Sequence, residues 1–200
     1  MGILNSTFEL DRALRRIRPD KHIGRLEPRN VPFVTDETDP AAIGPVLLDT
    51  CVYIDNGNRR LPLGAGRLIA VGGAAHISAI TAMELTYAFG RLDPSDPRTA
   101  RNLAYLRDVL ERVPRHRVIE ATPADHAFAG VIAGTLARTQ GLSSDGRKRL
   151  LLDSLIFASA RRHGLTVLTA NTNDFDLLQQ LAPDGKVAFY RTGSRVAGAM

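Results

Sequence analysis

Four acidic residues stand where their neighbours give them little ordinary reason to be. Asp49 closes the apolar run Val46-Leu47-Leu48, and Glu84 lies six residues past Ser78 with Thr81 three positions before it. Asp153 interrupts the apolar stretch LLLDSLIFASA, and Asp174 follows VLT in the segment ANTNDF. Taken singly, each has a structural reading: Asp49 a turn or cap residue, Glu84 a surface residue, Asp153 a buried cap, Asp174 the N-cap of a helix that starts at Phe175. Asp153 fits that reading least, because a carboxylate among apolar side chains is costly to bury unless it is paired, hydrogen-bonded or bound to a metal. Brought to one place, the four would repel and raise one another's pKa values. A divalent cation offsets that charge, and hard oxygen ligands suit Mg²⁺ or Mn²⁺.

The elements that must position these acids follow from the apolar pattern. Val46–Asp49 reads as a short buried strand, His76–Ser78 as a second, Arg117–Ile119 as a third, Val167–Thr169 as a fourth and Val187–Tyr190 as a fifth. Between them the sequence predicts helices at 80–91, 98–112, from Pro123 to about Arg138 with Thr122 as cap, 148–163 closed by Gly164, and Asp174–Leu181. Residues 56–66 and Gly141–Gly146 read as loops, and Cys51 as a small core residue. Short strands alternating with helices imply an α/β domain of three layers around a mostly parallel sheet. In such folds ligands sit beyond the carboxyl ends of the strands, which is where Asp49 and Asp174 fall.

Two parts of the chain differ in character. Residues 6–18 carry Phe8, Leu10, Leu14 and Ile17 at helical spacing, with Ser6 or Thr7 as candidate cap. Residues 19–45 hold Pro19, Pro28, Pro32, Pro40 and Pro45 among polar residues and read as an irregular arm, not a packed element. The boundary is therefore expected near residue 44, with 1–44 an extension and 45–200 the domain. Residues 1–40 carry 7 basic and 7 acidic residues, so the net charge of +5 belongs entirely to the rest. A basic domain favours polyanionic partners, nucleic acid foremost. One cysteine forbids an internal disulfide and suits a cytoplasmic location, and no apolar run is long enough for a membrane span. A phosphate-binding Gly-rich loop ending in Lys, a Cys/His zinc pattern and a Gly-x-Ser-x-Gly elbow are all missing from the sequence.

The segments VLLDTCVYID (46–55), ISAITAMELTYAFG (77–90) and LLLDSLIFASARRHGLTVLTANTNDF (150–175) resemble, in order and spacing, the motifs of the PIN-domain ribonucleases. The resemblance covers about 45–190 and is greatest to VapC-type toxins of bacterial toxin–antitoxin pairs. It implies a PIN-like α/β/α domain with a five-stranded sheet, and metal-site roles for Asp49, Glu84, Asp153 and Asp174, with Thr50 and Asn171 in support. It also implies Mg²⁺- or Mn²⁺-dependent hydrolysis of RNA to 5′-phosphate and 3′-hydroxyl ends, a cognate antitoxin and a homodimer. Ser78 and Thr81 match motif positions of structural type. Arg59, Arg60, Arg147, Lys148 and Arg149 are candidate phosphate contacts, or simply solvated loop residues. Two other functions stay open: a PIN-type nuclease outside any toxin pair, and a PIN-like module that binds nucleic acid or protein without cutting.

Overall fold

Three-residue apolar runs make the centre of the sheet. In the structure, a computed structural model that describes residues 7–71 and 75–193, β1 (Val46–Leu48) is buried along its whole length. It pairs with β2 (His76–Ser78) on one side and β4 (Thr166–Thr169) on the other, with Leu47 opposite both His76 and Val167. Outside these lie β3 (Val118–Ile119) and β5 (Lys186–Phe189), giving the order β3-β2-β1-β4-β5. Every pairing between these strands is parallel, so the sheet is wholly parallel where the sequence suggested mostly parallel. The chain winds outward from β1 to β3 and then returns to the other side of β1. That reversal opens a crevice at the carboxyl ends of β1 and β4.

Alternation along the strands divides the core into layers. Leu47, Val167 and Phe189 join a cluster with α7 (Pro123–Gln140), α8 (Ser144–Arg162) and α9 (Thr172–Leu181), through residues such as Ile132, Leu136, Ile156 and Phe175. Val46, Leu48, Leu168 and Tyr190 join the opposite cluster, with Val52 of α3 (Thr50–Gly57) and Leu68 of α4 (Leu63–Val71). Beside it, α5 (Ala79–Arg91) and α6 (Thr99–Glu111) bring Leu85 and Leu106 onto Ile77 of β2. Among the described residues no helix is long and apolar enough to cross a membrane.

Several boundaries differ from the sequence reading. The apolar pattern does not disclose α3, because Thr50-Cys51-Val52-Tyr53 is poor in strong helix formers; Asp49 caps it through an Oδ1 that accepts from Thr50 N at 2.7 Å. The segment 63–66, expected as loop, belongs to α4. The helix α8 begins at Ser144, four residues before the expected start, with Ser143 capping it, so Arg147 lies on the helix together with Lys148 and Arg149. The helix α9 begins at Thr172 with Asn171 as its cap, which places Asp174 in the first turn instead of at the cap.

The amino-terminal part is more integrated than its composition suggests. Helix α1 (Leu10–Ile17) is shorter than the expected 6–18, and the candidate cap Ser6 lies outside the described residues. Its buried residues are Ala13 and Ile17, four apart, which enter the main cluster; Phe8, Leu10 and Leu14, expected on the apolar face, are exposed. The prolines of 19–45 prevent long regular elements apart from the short α2 (Pro40–Ile43), yet the segment packs. Phe33 bridges Phe189 in parallel, with Val34 N donating to Phe189 O at 2.7 Å, so the arm covers the edge strand β5. Arg29 Nε donates to Asp176 on α9 at 2.6 Å, and Asp176 is 1% exposed.

Candidate active site

The crevice between β1 and β4 begins with Asp49, the residue directly after β1. Its buried carboxylate accepts from Thr50 N, from Thr169 Oγ1 at 2.7 Å and from Cys51 Sγ at 3.0 Å. Burial raises the Asp49 pKa, those three donors pull it back, and the charge of Asp174 raises it further. Burial and the neighbouring Asp49 push the Cys51 thiol up to about 12, so it keeps its proton and acts as donor. Cys51 is thus partly buried beside the carboxylate and bonded to it, also accepting from Ala170 N at 3.2 Å; it is not a purely apolar core residue.

Glu84 projects from α5, which Ser78 caps by accepting from Ile80 N at 3.1 Å. Thr81 anchors the same helix to β1, its hydroxyl reaching Leu48 O at 3.4 Å. The hydroxyl of Thr50 donates to Glu84 Oε2, linking the first and second acids through one residue. Burial raises the Glu84 pKa, the Thr50 hydroxyl lowers it, and the charge of Asp49 raises it.

The other pair meets through an amide. Asn171 Nδ2 donates to Asp153 Oδ2 and to Asp174 Oδ2, each at 3.0 Å, while its Oδ1 accepts from Asp174 N at 3.3 Å and caps α9. Asp153, on α8, is the electrostatic centre. Its pKa is raised well above the usual carboxylate range, first by burial, then by the charges of Asp49, Asp174 and Glu84, and by a hydrogen bond with Asp174. The four acids named from the sequence therefore converge, and Thr50 and Asn171 each bridge two elements of the set. Sequence reasoning missed Thr169, whose 0%-exposed hydroxyl serves Asp49 and accepts from Asn171 N at 2.9 Å. A threonine ending an apolar strand two residues before Asn171 was the available signal.

The donor set is carboxylate oxygen only, which fits Mg²⁺ or Mn²⁺ in chemical type. Among the described residues no three His, Cys, Asp or Glu side chains form a ready-made cation cage. Mg²⁺ commonly takes one or two carboxylates and completes its shell with water and phosphate oxygens, so the carboxylates fit such an ion in pairs.

The candidate phosphate contacts separate. Arg60 pairs with buried Asp55 at 2.8 Å, and Asp55 also accepts from Tyr190 at 2.9 Å, so this arginine anchors the end of α3. Arg147 donates to Leu142 O at 2.9 Å, Lys148 pairs loosely with Asp145, and Arg59 and Arg149 are exposed. Among the described residues none of the five bonds to one of the four acids.

No curated protein matches this chain. Solved structures similar to it include these three. VapBC2 from Rickettsia felis bound to a promoter DNA fragment is 21% identical with a TM-score of 0.49, covering 73% of this chain and 98% of its own. FitAB bound to the IR36 DNA fragment is 22% identical with a TM-score of 0.49, covering 71% and 92%. FitAcB from Neisseria gonorrhoeae is 24% identical with a TM-score of 0.47, covering 73% and 96%. The family model of the PIN domain matches residues 46–180, a span that contains all four acids and every strand but β5. With that match over most of its length, the chain belongs to the PIN domain family.

Proposed function

We propose that the chain is a divalent-metal-dependent endoribonuclease and the toxin of a VapBC-type toxin–antitoxin pair. The observation that carries the reading is the linking of the four acids at one end of the sheet: Thr50 binds Asp49 and Glu84, and the Asn171 amide binds Asp153 and Asp174. Like charges gathered in a crevice are unfavourable for a binding module and useful for holding cations against a phosphate. Family membership supports nuclease chemistry, and the VapC-like motifs and basic balance support an RNA substrate.

In this reading Mg²⁺ or Mn²⁺ supplies an acidified water and neutralises charge on the phosphate. The protein's part is orientation. Asp49, fixed by three donors, is the rigid ligand, and Asp153 is its partner from α8. Asp174, clamped to Asp153 by Asn171, would hold an ion directly or through water. Glu84, steered by Thr50, orients the attacking water. Arg59 and Arg149, exposed, remain phosphate contacts in this account, whereas Arg60 serves α3. A cognate antitoxin, a homodimer and a cytoplasmic location belong to the same proposal.

The test is cleavage of total RNA and purified tRNA with Mg²⁺, with Mn²⁺ and with EDTA, beside Asp153→Asn. Discrete fragments that require metal and vanish in the variant are expected. A folded, antitoxin-free chain that cuts nothing under any metal would leave the non-cutting binding module as the better account.

A further inference from the structure

A second basic feature lies away from the acids. Between α1, the start of α7 and the end of α8 is an open cavity of about 720 Å³. Arg12, Arg15 and Arg16 reach it from α1, and Arg161 and Arg162 from the last turn of α8. Three carboxylates face these five guanidinium groups: Glu9, Asp125 and Asp184. The balance is two positive charges in excess. Arg16 and Arg161 share the single carboxylate of Asp184, and Arg15 has no partner among the described residues.

The carboxylates orient the arginines without saturating them. Arg161 uses Nε on Asp184 at 2.7 Å and lies over the Phe128 ring at 4.5 Å, which leaves its terminal nitrogens free to donate. Arg162 is fixed by Nε on Asp125 at 2.7 Å and by Nη2 on Glu120 O at 2.8 Å. Thr7 adds a hydroxyl to the lining, while that of Thr122 is engaged with Asp125. Oriented guanidinium forks with spare donors and excess positive charge suit phosphate oxygens.

We infer that this cavity is a second contact for the RNA strand, gripping its backbone phosphates away from the point of cleavage, and that α1 exists to complete it. The inference rests on the ribonuclease reading above. Helix α8 joins the two places: Arg161 and Arg162 lie eight and nine residues beyond Asp153, roughly 12–14 Å along the helix axis and about 80° and 180° around it at 3.6 residues per turn. A strand that reaches both places therefore curves round α8, and the second contact serves long RNA and not a short fragment. The extension would then raise affinity for long RNA without touching the chemistry.

The experiment measures binding of a labelled single-stranded RNA by fluorescence anisotropy across a salt series, in an Asp153→Asn background that prevents cleavage. Arg12→Glu with Arg15→Glu is compared with Arg25→Glu and Arg101→Glu, which remove the same charge outside the cavity. Arg15→Glu alone guards against misfolding, because that exposed side chain has no partner among the described residues to lose. The cavity pair is expected to weaken binding roughly tenfold and to flatten the log–log salt slope by about 1.4, some 0.7 for each phosphate no longer neutralised. The control pair should leave that slope nearly unchanged. Equal losses in both pairs would mean a diffuse field and overturn the inference. So would unchanged RNA binding together with lost binding to polyglutamate, which would make the cavity a docking point for an acidic protein segment. Failure of the unaltered Asp153→Asn chain to bind RNA at all would strike the ribonuclease reading instead.

Discussion

Asn171 is the most informative residue to perturb, because it does two separable things. It caps α9, accepting from Asp174 N, and its amide bridges Asp153 and Asp174 at 3.0 Å on each side. Asn171→Ala removes both. The cap contributes about 1 kcal/mol. Each bond to a carboxylate is worth about 1.5–3 kcal/mol when fully buried, but these side chains are only partly buried, so solvent recovers about half. The sum is about 2.5–4 kcal/mol, which for a chain of this length lowers the unfolding midpoint by roughly 5–15 °C. Asn171→Ser restores the cap and not the bridge, so it should regain about 1 kcal/mol, or roughly 2–4 °C. Both variants should lose about 10- to 100-fold in kcat/KM, as is usual when a group orienting metal ligands is removed. Calorimetry beside a metal-dependent cleavage assay reads both quantities. Full recovery of stability and activity in Asn171→Ser would refute the idea that the amide holds the two acids together.

Three further outcomes follow from the same geometry. Asp153 has its pKa raised in the folded state, so its ionisation opposes folding: that penalty is absent below the unfolded carboxylate value, grows as pH rises from there to the folded value and is complete above it. Metal-free Asp153→Asn should therefore gain thermal stability over the parent chain as pH rises from about 4, and a difference that shrank with rising pH would contradict the burial argument. Thr169→Val deletes the hydroxyl that serves Asp49 at 2.7 Å while keeping shape, and should cost about 10- to 100-fold in activity, with Thr169→Ser rescuing it; steady-state kinetics in Mg²⁺ decide. Arg29→Ala removes the guanidinium that pairs with the buried carboxylate of Asp176 but leaves its bonds from residue 29 N and Gln180 Nε2, and should cost about 1.5–3 kcal/mol in urea unfolding; Asp176→Asn in that background should recover part of it.

The convergence of the acids was legible in the sequence in combination: Asp153 stands among apolar residues where a carboxylate needs an explanation, and Asp49, Glu84 and Asp174, each with an ordinary reading alone, stand out only beside it. The strands were legible likewise, since VLL, HIS and VLT admit few other readings. What escaped was local or long-range. Helix α3 begins with a threonine, a cysteine and a valine, and only the cap by Asp49 and packing of Val52 reveal it. Asn171 as cap in place of Asp174 is a choice between two good caps three residues apart, settled by the Asp174 N bond to Asn171 Oδ1. The Thr169 bonds to Cys51 and Asp49 depend on β1 and β4 being neighbours, which sequence spacing of 118–120 residues cannot disclose. The arm reads as unpacked because proline removes periodicity, yet Phe33 and Arg29 dock it by single contacts that no periodic pattern could display.

The central proposal is that Asp49 and Asp153, supported by Glu84 and Asp174, hold a divalent cation for phosphodiester cleavage. It is tested most directly by titrating Mn²⁺ into the antitoxin-free chain and following free Mn²⁺ by electron paramagnetic resonance, with Asp153→Asn and Asp49→Asn alongside. Saturable binding is expected, displaced by Mg²⁺ and weakened at least about tenfold by either substitution. Absence of binding by the folded parent chain, or binding that both variants retain, would contradict the claim.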